Sequence, residues 1–284
     1  MNVVTTITET RAILAQARRA GKSIGLVPTM GALHAGHASL IDAAARECDV
    51  VVVSIFVNPT QFGPNEDYEK YPRALQADCT LCEKHGAAVI CAPSPAEMYG
   101  QDIRASATTV SVAKLSETLC GRSRPGHFAG VCTVVTKLFN IAQPDRAYFG
   151  AKDFQQVTIL RRMTSDLNLP VEIVTCPIVR EADGLAMSSR NAYLSAEERK
   201  QAPALHAALQ QARERVNNKH PSSQEVIQAI RDSIVAHAPL GVVDYIQLVD
   251  PETLEDVPTT DRPVQAVLAV RFGGARLIDN MRLG

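Results

Sequence analysis

No stretch of this chain is apolar for long enough to cross a bilayer; the runs at 50–53 and 264–270 are far shorter than a helical span needs. No block of a single charge stands out either. Acidic and basic side chains are interspersed and nearly cancel, leaving −1, so a phosphate backbone has no basic footprint to meet and nucleic acid is not an expected partner. The opening residues, Met1-Asn2-Val3-Val4-Thr5-Thr6, lack a positive segment leading into an apolar one, so neither export nor membrane attachment is expected. Internal repeats and low-complexity tracts are missing, which removes solenoids and disordered tails. Seven cysteines, an odd number scattered from Cys48 to Cys176, make no disulfide framework and point to the reducing cytoplasm. Cys79 and Cys82 form a lone CxxC within a helical stretch, without the second ligand pair a structural zinc site would need.

What is present is an ordinary globular balance, 46% apolar and 21% charged over 284 residues, enough for one large domain or two modest ones. Thr6-Ile7-Thr8-Glu9 reads as a capping box opening a helix that Gly21 stops. Residues 24–27 read as a buried strand ended by Pro28. Gly36 then opens a helix with Leu40, Ile41, Ala44 and Ala45 on one face. The run 50–57, apolar and rich in β-branched residues, reads as a strand covered on both faces. Alternation continues with a helix at 72–85, strands at 87–92 and 108–112, a helix at 131–141, a strand at 146–149, a helix at 154–167 and a strand at 171–175. This predicts an α/β fold, a Rossmann-like doubly wound parallel sheet over residues 1–176. From 177 to 284 the texture changes: capping boxes at Ser195 and Ser222 open helices running to about 218 and 237, then strands follow at 242–249, 264–272 and 276–281. A second, smaller α+β domain with an antiparallel sheet is expected there.

The richest stretch is Pro28-Thr29-Met30-Gly31-Ala32-Leu33-His34-Ala35-Gly36-His37, where the first strand of that sheet runs into a helix start. Ligands of open α/β sheets bind at this edge, and a helix N-terminus offers unpaired N–H groups to an anion. Gly31 and Gly36 allow close backbone approach, and the two histidines can donate to phosphate oxygens. A zinc reading would require HExxH, and Ala35 stands where Glu would be. Gly150-Ala151-Lys152-Asp153 repeats the same strand-to-helix setting.

His34-Ala35-Gly36-His37 resembles the HIGH motif of the nucleotidylyltransferase superfamily, which includes class I aminoacyl-tRNA synthetases. The longer text resembles the pantothenate synthetase family. It does so at 28–37, at Ser54-Ile55-Phe56-Val57-Asn58-Pro59-Thr60-Gln61-Phe62, and at Arg124-Pro125-Gly126-His127-Phe128-Ala129-Gly130-Val131. Phe149-Gly150-Ala151-Lys152-Asp153-Phe154-Gln155-Gln156 and Met187-Ser188-Ser189-Arg190-Asn191 complete the set. The resemblance implies a two-step reaction in which pantoate is adenylated by ATP and β-alanine then displaces AMP.

The resemblance also implies site residues. His34, His37 and Lys152 are the catalytic candidates, with the second histidine commonly given an acid role. Met30, Gly31, Ala32, Leu33, Ala35, Gly36, Phe149, Gly150, Asp153, Val179 and Met187 would line ATP. Ser188, Ser189 and Arg190 would grip its β/γ end as a shortened analogue of the KMSKS loop, from which Arg190 departs. Gln61 and Gln156, whose amides both donate and accept, would hold pantoate, with Asn58, Tyr71, Arg124 and His127 lining the pantoate and β-alanine site. Pro28, Met30, Phe56, Val134 and Val135 would form its apolar side. Asp78 is the candidate for Mg²⁺ carried with ATP; no tightly bound organic cofactor is implied. The polar segment 63–67 is either a gate or an idle loop. A homodimer is implied, and the smaller domain would close over ATP.

Two other readings stand beside this one. An adenylyltransferase acting on a phosphorylated metabolite would want a basic acceptor pocket in place of Gln61 and Gln156. A non-catalytic nucleotide-binding module would not need His34, His37, Lys152 and the Ser-Ser-Arg loop together. A tRNA synthetase is disfavoured by the missing anticodon-binding domain and the neutral charge.

Overall fold

A computed structural model describes residues 1–64, 66–102, 108–219 and 221–284. The chain divides into two compact units: Met1–Ala151 with Gln155–Pro177, and Lys152–Phe154 with Ile178–Gly284.

In the larger unit the chain runs β1 (Asn2–Val4), α1 (Ile7–Arg19), β2 (Ile24–Thr29), α2 (Ala35–Glu47) and β3 (Val50–Ile55). Then come α3 (Leu75–Lys84), β4 (Val89–Cys91), α4 (Pro95–Tyr99), α5 (Leu119–Ser123) and α6 (His127–Ala142). β5 (Arg146–Gly150), α7 (Phe154–Asp166) and β6 (Glu172–Cys176) complete it. Its six strands lie in the order β1-β4-β3-β2-β5-β6, every pair parallel. The unbroken apolar text of β3 is explained by this position: Val51, Val52 and Val53 sit in the sheet interior with both faces covered.

Pro28 does not end β2, as was expected of it; the strand continues to Thr29. Thr29 turns its carbonyl to β3, accepting the Phe56 N–H at 3.1 Å, so Pro28 faces the opposite side. There the β2–β5 ladder has already stopped at Leu26, and the missing donor costs no ladder bond. The order of strands reverses direction at β2, which makes its carboxyl end the topological switch point of the sheet.

Two further expectations are corrected. Residues 108–112 form no strand: the Val110 N–H is taken by the Thr133 hydroxyl of α6 at 3.0 Å rather than by a neighbouring strand. One edge of the sheet is β1, three residues whose shortness hid them in the sequence. On α2 the buried set is Ala38, Leu40, Ile41, Ala43 and Ala44, while Ala45 is exposed.

The smaller unit contains α8 (Ala196–Gln201), α9 (Ala204–Lys219), α10 (Ser223–His237) and the antiparallel sheet β7 (Val242–Val249), β8 (Val264–Phe272), β9 (Ala275–Leu283). Both expected capping boxes form, Ser195 with Glu198 and Ser222 with Glu225. The single long helix expected from Ser195 is two, because Pro203 has no N–H to continue the ladder. Leu205, Leu209, Val216, Val226, Ile230 and Ile234 of α9 and α10 bury against Leu268, Val270 and Phe272 of β8.

Candidate functional site

The turn after β2 is built from two consecutive residues in the left-handed region, Gly31 at φ +84° and Ala32 at φ +50°. Glycine is needed at the first. A Cβ there would lie 3.0 Å from Asp78 Oδ2 and 3.2 Å from Ile55 Cγ2, in a conformation L residues avoid. Asp78, on α3 and only 3% exposed, holds the turn: its Oδ2 accepts the Ala32 N–H at 3.0 Å and its Oδ1 the Leu33 N–H at 2.8 Å. The carboxylate expected to meet Mg²⁺ therefore has a task in the chain itself, one that sequence reasoning missed because nothing local joins 78 to 32 and 33.

The turn delivers His34 as the N-cap of α2. His34 Nδ1 accepts the Gly36 N–H at 3.1 Å, and His37 Nδ1 accepts the His34 N–H at 3.3 Å, a capping box made of two imidazoles. Their ring centroids are 4.2 Å apart. With each Nδ1 used as an acceptor, the neutral rings carry their proton on Nε2, so both are set as donors. Both rings are half-buried at the switch-point edge.

Beside them lies the segment after β3. Asn58 caps the short helical turn Pro59–Gln61 and is 1% exposed. Its Nδ2 donates to Gln61 Oε1 at 3.1 Å and to the Gly130 carbonyl at 3.2 Å, while Gln61 Nε2 reaches Met30 Sδ at 3.0 Å. Asn58, expected to line the pantoate and β-alanine site, is thus hydrogen-bonded to Gln61 of the same site. Gly130 on α6 makes the approach possible, since a Cβ there would stand 2.4 Å from the Thr60 carbonyl oxygen.

Arg124 and His127 gather at the same segment. Arg124 Nε and Nη2 donate to Glu66 Oε1 and Oε2, each at 2.6 Å, and Arg124 Nη1 lies 3.0 Å from His127 Nε2. His127 Nδ1 stands 2.8 Å from the Gln61 carbonyl oxygen. Burial alone would raise the Glu66 carboxyl, but the hydrogen bond and charge of Arg124 outweigh it and hold it below the usual carboxylate range. Within the segment 63–67, Asn65 lies outside the described residues, and Glu66 is tied down by this ion pair. Tyr71 is buried edge-on to Phe62, with ring centroids 6.1 Å apart.

Phe56, Val134 and Val135 are buried in the main core of this unit, and Phe149 joins them at the end of β5. Gln155 and Gln156 have different surroundings. Gln155 is buried, accepting the Cys120 N–H at 3.0 Å and donating to the Leu115 and Thr118 carbonyls, whereas Gln156 is half-buried. Cys79 and Cys82 ride on α3, where burial pushes the Cys82 thiol up to about 12, a packed side chain rather than a ligand.

In the smaller unit, Lys152 is followed by Asp153, whose Oδ2 lies 3.9 Å from Lys152 Nζ. The Lys152 carbonyl accepts from Asn280 Nδ2 of β9 at 2.9 Å. Val179 and Met187 face each other across a hairpin, Met187 N–H donating to the Val179 carbonyl at 3.0 Å. Ser188 then caps the helical turn Ser189–Tyr193, its Oγ accepting the Arg190 N–H at 3.3 Å. Asn191 anchors that turn, donating to Glu181 Oε1 at 2.8 Å and to the Ala186 carbonyl at 3.2 Å. Glu181 is in turn held by Arg199 at 2.6 Å. Lys152, Ser188 and Asn191 line one small cavity, together with Asp279.

The family model for pantoate–β-alanine ligase matches residues 2–282. The chain is 53% identical over 287 residues to the pantothenate synthetase of Thermotoga petrophila, covering all of both chains. It is 56% identical over 264 residues to that of Acidobacterium capsulatum, covering 93% of this chain and 87% of that one. Among solved structures, the pantothenate synthetase of Thermus thermophilus superposes with a TM-score of 0.92 at 46% identity, over 99% of each chain. The pantoate–β-alanine ligase of Francisella tularensis, solved with β-γ ATP and β-alanine, does so with 0.81 at 35% identity, over 99% of this chain and 97% of that one. With the family model spanning nearly its whole length, the chain belongs to the pantoate–β-alanine ligase, or pantothenate synthetase, family.

Proposed function

We propose that the turn from Met30 to His37 holds the phosphates of ATP through the Nε2–H groups of His34 and His37, beside a pantoate pocket headed by Gln61. The arrangement serves the reaction of the family: ATP-dependent condensation of (R)-pantoate with β-alanine to pantothenate, releasing AMP and pyrophosphate. A free carboxylate is a poor electrophile. One pantoate carboxylate oxygen therefore attacks the α-phosphorus, the P–O bond to the β-phosphate breaks, and pyrophosphate leaves. The β-alanine amine then attacks the acyl carbon of pantoyl adenylate, and AMP leaves as the amide forms and the nitrogen gives up its proton.

During the first step negative charge grows on phosphate oxygens, so donors already aimed there stabilise the transition state without reorganising. The observation that carries this reading is the use of both histidine Nδ1 atoms as backbone acceptors, which commits both Nε2 atoms to donating. Lys152 adds charge at the α- and bridging phosphates, and Ser188, Ser189 and Arg190 hold the β/γ end. Phe149, Gly150, Asp153, Val179 and Met187 complete the nucleotide's surroundings. Gln61 and Gln156 bind pantoate, with Asn58, Tyr71, Arg124 and His127 lining the pantoate and β-alanine side.

Among the described residues no three His, Cys, Asp or Glu side chains gather as a metal cage. That suits Mg²⁺ held mainly by phosphates and water, with Asp78, whose oxygens each keep a second lone pair, as the protein ligand. When bound, Mg²⁺ would neutralise phosphate charge. The same reading makes the enzyme a cytoplasmic homodimer; seven free thiols suit a reducing compartment, and a mass measured in solution tests the stoichiometry.

Exchange of labelled pyrophosphate into ATP, run with pantoate but without β-alanine, tests the first step. Exchange that requires pantoate is the expected result. Exchange indifferent to pantoate, or its absence, overturns the assignment.

A further inference from the structure

Gln61 is an amide, and either end of an amide can face a substrate. Here the choice is made by the neighbouring Asn58. Asn58 accepts at Oδ1 from the Thr60 backbone N–H at 3.3 Å, and its Nδ2 donates to the Gly130 carbonyl at 3.2 Å. A backbone N–H can only donate and a carbonyl can only accept, so the orientation of the Asn58 amide is forced. Its Nδ2 must also donate toward Gln61, 3.1 Å away, which turns Gln61 Oε1 inward and leaves Nε2 on the side of Met30.

The remaining partner of Asn58 comes from α4. The Tyr99 hydroxyl donates to Asn58 Oδ1 at 2.8 Å and lies 3.4 Å from the Thr60 hydroxyl, which itself donates to Oδ1 at 2.9 Å. The Tyr99 ring packs near two neighbours, its centroid 6.2 Å from that of Phe56 and 5.3 Å from Lys137 Nζ. Burial raises its phenol above the ordinary tyrosine value, so the hydroxyl remains a donor.

We propose that Tyr99 is a positioning residue for the acid substrate: it steadies Asn58 in the orientation the backbone sets and so holds the Gln61 amide with Nε2 turned away from Asn58, where the N–H beyond the one given to Met30 Sδ recognises a substrate oxygen. The selected chemistry is an acceptor, a carboxylate or hydroxyl oxygen of pantoate. This rests on the reading that Gln61 touches pantoate.

The test is pantoate-dependent pyrophosphate exchange in the full-length enzyme carrying Tyr99→Phe, Gln61→Ala, Gln61→Glu, or Tyr99→Phe with Gln61→Ala. Loss of one buried hydroxyl donor in Tyr99→Phe is expected to raise the pantoate KM about three- to tenfold. The ATP KM and the melting temperature should hardly move, because the ring and its packing stay. In the double variant the pantoate KM should match that of Gln61→Ala alone, since the hydroxyl acts only through that amide. Gln61→Glu should bind pantoate worse than Gln61→Ala, because an acceptor then faces the substrate oxygen.

An unchanged pantoate KM in Tyr99→Phe, a parallel rise in the ATP KM, or effects that multiply in the double variant would each overturn the proposal. If Gln61→Ala itself leaves the pantoate KM and rate unchanged, the underlying reading of Gln61 falls, and Tyr99 loses its role with it. A rise in Gln61→Ala without one in Tyr99→Phe defeats the Tyr99 proposal alone.

Discussion

Asp78 accepts the backbone N–H of Leu33 at 2.8 Å, across 45 residues of chain, and with its other oxygen that of Ala32. Two successive backbone N–H groups of a turn thereby converge on one carboxylate. Asn at this position keeps the shape but replaces one acceptor with a donor facing an N–H. Asp78→Asn should cost about 1.5–3 kcal/mol, the range for a hydrogen bond to a charged group, read from denaturant unfolding. Pyrophosphate exchange should fall even at saturating Mg²⁺. A variant whose lost activity returns fully with added Mg²⁺ would show that metal binding, not the turn, is what Asp78 supplies.

His34→Ala, His37→Ala and Lys152→Ala are each expected to slow adenylate formation by about 10²-fold or more, about 3 kcal/mol of lost transition-state contact. His34 also caps α2, and losing a cap costs only about 1 kcal/mol of stability. His34→Asn separates the two roles, because asparagine caps well but lacks an imidazole Nε2. Its melting temperature should stay near the parent while exchange stays low. Any of these substitutions that spares exchange but blocks amide formation would move its residue to the second step.

Gly130→Ala offers a helix-propensity gain of about 1 kcal/mol on α6. Against it stands a methyl carbon 2.4 Å from the Thr60 carbonyl oxygen and 2.7 Å from the Gln61 nitrogen, both backbone atoms that cannot swing aside. The overlap should win, with a net loss of about 1–3 kcal/mol. Because the displaced turn carries Gln61, the pantoate KM should rise as well. A stabilised variant with unchanged kinetics would show that the turn and α6 are not tightly joined.

His206 supplies a pH dependence. Burial pushes its imidazole below the ordinary value of 6.5, and the charge of Arg180 adds to the effect. The unfolded chain then binds a proton at a higher pH than the folded one, so stability is fully present above about pH 6.5 and is lost as pH falls through the folded value. Melting temperature should decline over that acid range, and His206→Gln should flatten the decline. An identical slope in the variant would assign it to other groups.

The sequence by itself determined the alternation of most strands and helices, the doubly wound class, and the text of the Met30–His37 turn. These follow from periodicity, unbroken β-branched runs, capping residues and glycines, all of which act over a few positions. Ser195 and Ser222 form the capping boxes they read as, Thr6 caps α1 by the single bond from the Glu9 N–H, and His34-Ala35-Gly36-His37 lies where a strand meets a helix. Tertiary structure decided which polar groups satisfy one another across the chain. It set Asp78 beneath the turn, joined Asn58 to Gln61, and tied Arg124 to Glu66. It also denied residues 108–112 a place in the sheet, because the Thr133 hydroxyl took the Val110 N–H. Buried donors and acceptors must be paired, but the partner is chosen by proximity in space, which no local pattern records.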